Sequence, residues 1–256
     1  MGIHASNKLE TLVEQLRQAK TVCALTGAGV SKESGVPTFR DEDGLWQKFR
    51  PEELANVNAF ISNPSLVWEW YNWRRQLMSG VKPNLGHLAL AELQDLVDSF
   101  VLITQNVDNL HRVAGNRDVI ELHGNISRNK CHDCGKIFEK GDQETDFVFK
   151  PGELPKCPLC NGRLRPDVVW FGENLPVDAI ERAWTLSQQC DVFLSIGTSS
   201  IVYPAAALPQ LAKQAGAYLV EINPKPTDLA PMADMVFSSP SGEALPLIVQ
   251  ALKDSA

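Results

Sequence analysis

The sequence predicts an α/β architecture: an open, doubly wound parallel sheet carrying a small second lobe. Three observations carry this reading. Four short apolar runs each stop at small or polar residues, helical patterns lie between the runs, and two stretches break the alternation.

Near the start, Leu9, Leu12, Val13 and Leu16 recur at helical spacing, and Asn7 with Glu10 three residues later reads as the beginning of that helix. A β-rich run from Thr21 to Thr26 follows and stops at Gly27-Ala28-Gly29. Val101 to Thr104 stops before Gln105-Asn106-Val107-Asp108, Val192 to Ile196 before Gly197-Thr198-Ser199, and Leu219 to Ile222 before Asn223. Runs that are apolar throughout suit parallel strands covered on both faces. Helical patterns over His87 to Leu96 and Ala205 to Ala215 supply crossovers, so the large unit is Rossmann-like. Ligands of such sheets bind outside the carboxyl ends of the strands. All four runs end there in residues suited to a nucleotide.

The two exceptional stretches form the small lobe. Residues 38–83, rich in Trp and charge, read as loop plus helices, and residues 128–165 hold two C-x-x-C pairs. The Rossmann-like core then comprises 1–37, 84–127 and 166–256, within a single domain spanning 1–256.

Composition narrows the classes. Hydrophobic residues make up 44% and charged residues 21% of 256, which excludes disordered, collagen-like and coiled-coil chains. A net charge of −7 argues against a broad phosphate-binding surface, so nucleic acid is not expected as a partner. The first residues run into the charged Asn7-Lys8-Leu9-Glu10 without the apolar core of a secretion signal. No apolar run approaches the roughly 18 residues of a membrane span. A cytoplasmic protein without membrane attachment is expected. Cys23 and Cys190, at apolar strands, read as small buried hydrophobes.

Cys131-His132-Asp133-Cys134 and Cys157-Pro158-Leu159-Cys160 carry the most specific chemistry. Two such knuckles about twenty residues apart supply four thiolates for a closed, tetrahedral and therefore structural zinc site, with Cys131, Cys134, Cys157 and Cys160 as ligands. His132 reads as a solvated spectator. Gly27-Ala28-Gly29 has the form of a dinucleotide turn, but Lys32 replaces the third glycine of the usual fingerprint. The following segment reads as a long polar loop, suited to wrapping a pyrophosphate and covering a nicotinamide with Phe39 and Arg40.

Gly27 to Arg40 with Gly44-Leu45-Trp46, Thr104 to His111, Glu121-Leu122-His123-Gly124, the cysteine pairs, Val168 to Glu173 and Gly197-Thr198-Ser199 stand in the order found in sirtuins. The chain resembles that family over nearly its whole length. The resemblance implies an NAD-dependent protein-lysine deacylase that acts on acyl-lysine proteins or peptides. NAD would be consumed, giving nicotinamide, 2′-O-acyl-ADP-ribose and free lysine. It implies catalytic roles for His123, the general base, and Asn106; on its residues alone His123 would be a core histidine. Asn106 and Asp108 would hold the ribose and carboxamide, with Gln105 and Val107 in the same loop. Gly27, Ala28, Gly29, Ser31, Phe39, Arg40 and Trp46 would line the first NAD loop, and Gly197, Thr198, Ser199 and Asn223 would meet the phosphates and adenosine. Val168, Val169, Trp170, Phe171, Gly172 and Glu173, on their residues a buried apolar strand, would offer a backbone edge to the peptide. His87 reads as a helix residue and His111 as part of a structural loop.

Tyr71 and Arg74 lie three apart in Trp68-Glu69-Trp70-Tyr71-Asn72-Trp73-Arg74-Arg75, so they share a helix face. In sirtuins that accept acidic acyl groups, a tyrosine and an arginine at this spacing bind the distal carboxylate. The resemblance therefore implies removal of succinyl or malonyl besides acetyl groups. Rival readings are mono-ADP-ribosyl transfer at the same NAD site and a non-catalytic NAD-sensing module; the intact His123, Asn106 and Asp108 speak against the second. The oligomeric state stays open, and a monomer is compatible with the sequence.

Overall fold

The computed structural model describes residues 3–36, 51–139 and 153–255. Six parallel strands form the main sheet: β1 (Val22–Thr26), β2 (Phe100–Thr104), β3 (Val119–Glu121), β7 (Val192–Ile196), β8 (Tyr218–Ile222) and β9 (Met235–Phe237), in the order β3-β2-β1-β7-β8-β9. The chain leaves β1 toward one side and later returns on the other, which opens a crevice beside β1.

Both sheet faces are covered, as continuous apolar runs require. Alternate strand residues enter opposite cores. Val22, Ala24, Leu102, Leu194 and Val220 pack with α1 (Ile3–Gln18), α6 (Leu85–Leu93) and α10 (Ser241–Asp254). Cys23, Leu25, Ile103, Phe193 and Leu219 pack with α8 (Val177–Gln189) and α9 (Leu208–Gln214). Cys23 and Cys190 are buried as expected.

The first helix departs from its expected start. It already runs from Ile3, so Asn7 lies inside it and its carbonyl accepts from Thr11 Oγ1; the Asn7/Glu10 pattern is not a cap. The loop expected after Gly29 instead opens with a short helix, α2 (Ala28–Lys32). At α6 the true cap is Asn84, whose side chain accepts from Gly86 and His87 while the His87 ring bonds back to the Asn84 N–H. Ala205 to Ala207 form a single 3-10 turn before α9.

The small lobe joins α3 (Pro51–Leu54), α4 (Val57–Ser62) and α5 (Pro64–Met78) to a three-stranded antiparallel sheet of β4 (Gly124–Cys131), β5 (Ile137–Phe138) and β6 (Leu164–Val168). One apolar cluster unites them: Phe60, Val67, Trp68 and Tyr71 meet Ile126, Leu164 and Trp170. β4 pairs with β6 through a register shift between Asn125 and Asn129. Such a bulge leaves carbonyls without ladder partners. Arg75 uses two of them: its guanidinium donates to Ile126 O (2.7 Å) and Arg128 O (2.8 Å), and also to the side-chain oxygen Asn129 Oδ1 (2.9 Å).

Candidate active site

The strand ends align. Thr26 lies level with Thr104 and Ile196, and Ile196 with Ile222. Main-chain bonding continues one residue further, from Gly27 N to Ile196 O, Gln105 N to Thr26 O, Gly197 N to Ile222 O and Asn223 N to Phe237 O. The two innermost loops nearly touch. Gly29 N donates to Gly197 O at 2.8 Å, and a Cβ on Gly29 would lie 2.7 Å from that oxygen. Gly197 also holds φ +58°, a left-handed conformation suited to glycine.

Polar side chains lock this edge together. Ser31 Oγ donates to Asp108 Oδ2 (2.6 Å), while Asn106 Nδ2 donates to Gly27 O (3.0 Å) and Ser31 Oγ (3.1 Å). Gln105 Nε2 donates to Thr198 Oγ1 (3.0 Å), Asn223 Nδ2 to Thr198 O (2.8 Å), and Ile126 N to Val107 O (2.8 Å). Burial raises the Asp108 pKa, partly offset by Ser31, the Leu110 N–H and the Arg74 charge. Ala28 and Ser199 are half-buried beside these groups. Phe39, Arg40 and Trp46 lie outside the described residues.

His123 sits between β3 and β4 with Nδ1 2.8 Å from Gln105 O. A carbonyl only accepts, so Nδ1 carries the proton and Nε2 is left as the basic nitrogen. Burial lowers the His123 pKa, with the Gln105 bond opposing, so the ring is neutral at neutral pH. That is the form a general base requires.

The segment after β6 is not the strand expected. Only Val168 belongs to β6; the chain then runs irregularly, with Val169 N bonded to His123 O and Phe171 N to Ala55 O, both at 2.9 Å. A glutamate three residues past Trp170 folds the chain back, because Glu173 Oε2 accepts from Trp170 N (2.8 Å). Gly172 takes the turn at φ +85°. Glu173 also pairs bidentately with Arg165, at 2.6 and 2.7 Å. Trp170 is buried and Phe171 exposed. Tyr71 is fully buried, its hydroxyl accepting from Trp170 Nε1 at 2.9 Å. The Arg74 guanidinium lies 4.9 Å from the Trp70 ring centroid and 5.4 Å from that of Tyr71. Burial lowers the Arg74 pKa, countered by Tyr71 and by the Asp108 charge.

Cys131, Cys134, Cys157 and Cys160 bring their sulfurs within 4.8 Å of one another, with Sγ pairs at 3.5 Å (Cys131–Cys160) and 3.8 Å (Cys134–Cys157). Tetrahedral Zn–S bonds of about 2.3 Å put sulfurs about 3.8 Å apart, so the donor set and its spacing fit a structural zinc. His132 stays outside the cysteine cluster, as expected, but is half-buried, its ring packing on Phe60 with centroids 5.5 Å apart.

A profile of the Sir2 family matches residues 27–204. The chain belongs to the Sir2 family. It is 51% identical over 233 residues to an NAD-dependent protein deacylase of Aquifex aeolicus, covering 91% of this chain and 95% of the relative. It is 50% identical over 239 residues to an NAD-dependent protein deacylase of Pyrococcus abyssi, covering 93% and 95%. Among solved structures it is similar to a Sir2 homologue in complex with NAD, at TM-score 0.88 and 46% identity, covering 96% of this chain and 94% of that one.

In this sirtuin several supporting residues escaped the sequence reading. His87 and His111 form a buried pair, ring centroids 4.8 Å apart, beneath the Asn106–Asp108 loop. His111 Nε2 meets Thr26 Oγ1 at 2.9 Å, and His87 Nε2 lies 3.4 Å from Ser31 Oγ. Asn125 Nδ2 donates to Asn109 Oδ1 (2.8 Å) and Glu121 Oε1 (2.7 Å), tying the loop to the strand that leads into His123. Asn109 at φ +67° was a readable signal, since Asn tolerates the left-handed region. The others needed the tertiary fold.

Proposed function

We propose that this sirtuin removes acyl groups from protein lysines with consumption of NAD, and that succinyl and malonyl groups are among those removed besides acetyl. The observation that carries the deacylase reading is His123, neutral through burial and held by Gln105 O through Nδ1, which leaves Nε2 as the basic nitrogen. Bound NAD supplies a nicotinamide leaving group and an electrophilic ribose carbon for the substrate's amide oxygen. The chain's residues do the rest. Asn106, Ser31 and Asp108 orient the ribose and carboxamide, and His123 accepts the proton of a ribose hydroxyl. Thr198, Ser199 and Asn223 stand at the strand ends for the phosphates and adenosine. Val168 to Glu173, whose Val169, Trp170 and Phe171 N–H groups are bonded within the protein, would meet the peptide through their remaining main-chain groups, and such contacts would give little preference for peptide sequence.

Tyr71 and Arg74 support the acidic acyl specificity. Burial works against the Arg74 charge, but Tyr71 and Asp108 oppose that loss, so a cation stands close to the loop proposed for NAD. Cysteine usage without disulfides suits a cytoplasmic setting.

The test is to incubate the protein with NAD and matched acetyl, succinyl, malonyl and glutaryl peptides and to resolve products by mass. Nicotinamide, acyl-ADP-ribose and free-lysine peptide in equal amounts are expected. ADP-ribosylated protein without acyl-ADP-ribose would overturn the reading in favour of mono-ADP-ribosyl transfer.

A further inference from the structure

Trp170 is held from several sides, and one of those contacts sets the direction of another residue's proton. Its indole is 1% exposed, the Arg165 guanidinium stacks 3.3 Å from the ring centroid, Phe60 lies 5.2 Å away centroid to centroid, and the main-chain N–H is fixed by Glu173. Arg165 is itself 1% exposed and anchored by Glu173 and Val168 O. The ring therefore has one orientation. In it, Nε1 points at the Tyr71 hydroxyl, 2.9 Å away.

An indole N–H donates and cannot accept. The Tyr71 oxygen must therefore be the acceptor in this pair. Arg74, whose guanidinium lies against the same phenol, also only donates. Neither neighbour can take the hydroxyl proton, which is left for a group with lone pairs. Burial raises the Tyr71 pKa, so the phenol keeps that proton.

We propose that Trp170 is a positioning residue for acyl selectivity: by donating to Tyr71 Oη it turns the single phenolic proton toward the distal carboxylate of an acidic acyl group. A buried N–H could otherwise be satisfied by any carbonyl; here its partner is the side chain that contacts the ligand. The inference rests on the reading that Tyr71 and Arg74 bind that carboxylate, and it adds how Tyr71 is made a donor.

The experiment measures kcat/KM for succinyl and acetyl forms of one peptide, because the peptide backbone contacts of residues 168–173 cancel in the ratio. Trp170→Phe removes the N–H and keeps an aromatic face for Arg165 and Phe60. Benzothienylalanine at position 170 keeps the fused ring without the N–H and serves where Phe impairs folding, as judged by zinc content and thermal unfolding. The succinyl-to-acetyl ratio should fall about fivefold, mainly through KM, the worth of one neutral hydrogen bond. Tyr71→Phe should lower the ratio too, and adding the position-170 change to Tyr71→Phe should lower it no further, because the indole acts only through the hydroxyl. An unchanged ratio at position 170, or losses that multiply in the double variant, overturns the proposal. If Arg74→Met lowers the ratio while the position-170 change does not, the proposal alone fails. If Arg74→Met also leaves the ratio unchanged, the acidic-acyl reading fails and the proposal with it.

Discussion

Replacing Arg74 by methionine removes a positive charge and leaves a side chain of similar length to cover Trp70. The guanidinium sits 4.9 Å from the Trp70 ring and is sufficiently desolvated that its pKa is lowered, so a ligand carboxylate meets it in poorly hydrated surroundings. A charge-assisted hydrogen bond there is worth about 1.5–3 kcal/mol, or about tenfold to a hundredfold in kcat/KM if it persists in the transition state. Tyr71→Phe removes a neutral donor and should cost about fivefold. The assay is initial-rate kinetics on succinyl and acetyl forms of one peptide, with unfolding midpoints and zinc content as controls. The succinyl-to-acetyl ratio should collapse in Arg74→Met. Equal losses for both peptides would refute the reasoning and leave Arg74 and Tyr71 as supports of α5.

Three further outcomes are expected. His123→Ala should lower turnover by ~10²–10⁴-fold with native zinc content, and the acid limb of kcat/KM in the parent protein should fall below pH 6.5, because burial holds the imidazole neutral; an acid limb above that value would contradict it. Zinc should be bound one per chain by the four thiolates, and strong chelators should loosen Phe60 and Trp170 packing, seen as a change in tryptophan fluorescence; native, active protein free of zinc would refute the site. Burial pushes the His87 pKa down to about 4, so the unfolded chain binds a proton that the folded one refuses between that value and 6.5. Stability should therefore be lost as the pH is lowered through this window, by up to roughly 3 kcal/mol, and the His87→Gln variant should show a shallower loss in denaturant titrations.

The four central strands were legible because each is covered on both faces and so is apolar throughout. β3 and β9 were not: each has three residues at a sheet edge, too few to show a period. Asn7 misled because a cap pattern needs only two residues, and the helix continues upstream of it. The zinc ligands were readable from local spacing. Tyr71 and Arg74 were readable as a face of α5, but the burial of Tyr71 and its bond to Trp170 depend on a contact between residues 99 apart. Arg75 had no signal at all, since its carbonyl partners exist only where β4 bulges against β6. The segment 168–173 reads as a strand from its residues, yet Glu173 turning back to the Trp170 N–H breaks the ladder.

The continuation of sheet bonding one residue past four strand ends has an entropic consequence. Gly27, Gln105, Gly197 and Asn223 each have a main-chain N–H already fixed by a neighbouring strand. Loops that order only on binding give up part of their interaction energy to restrict their own motion. At this edge the restriction is met during folding, so the side chains that follow, Asn106 and Thr198 among them, are already ordered where the proposed function places the cofactor. On the proposed function, affinity would then rest on loop residues whose main chain is held by the same bonding as the strands they extend.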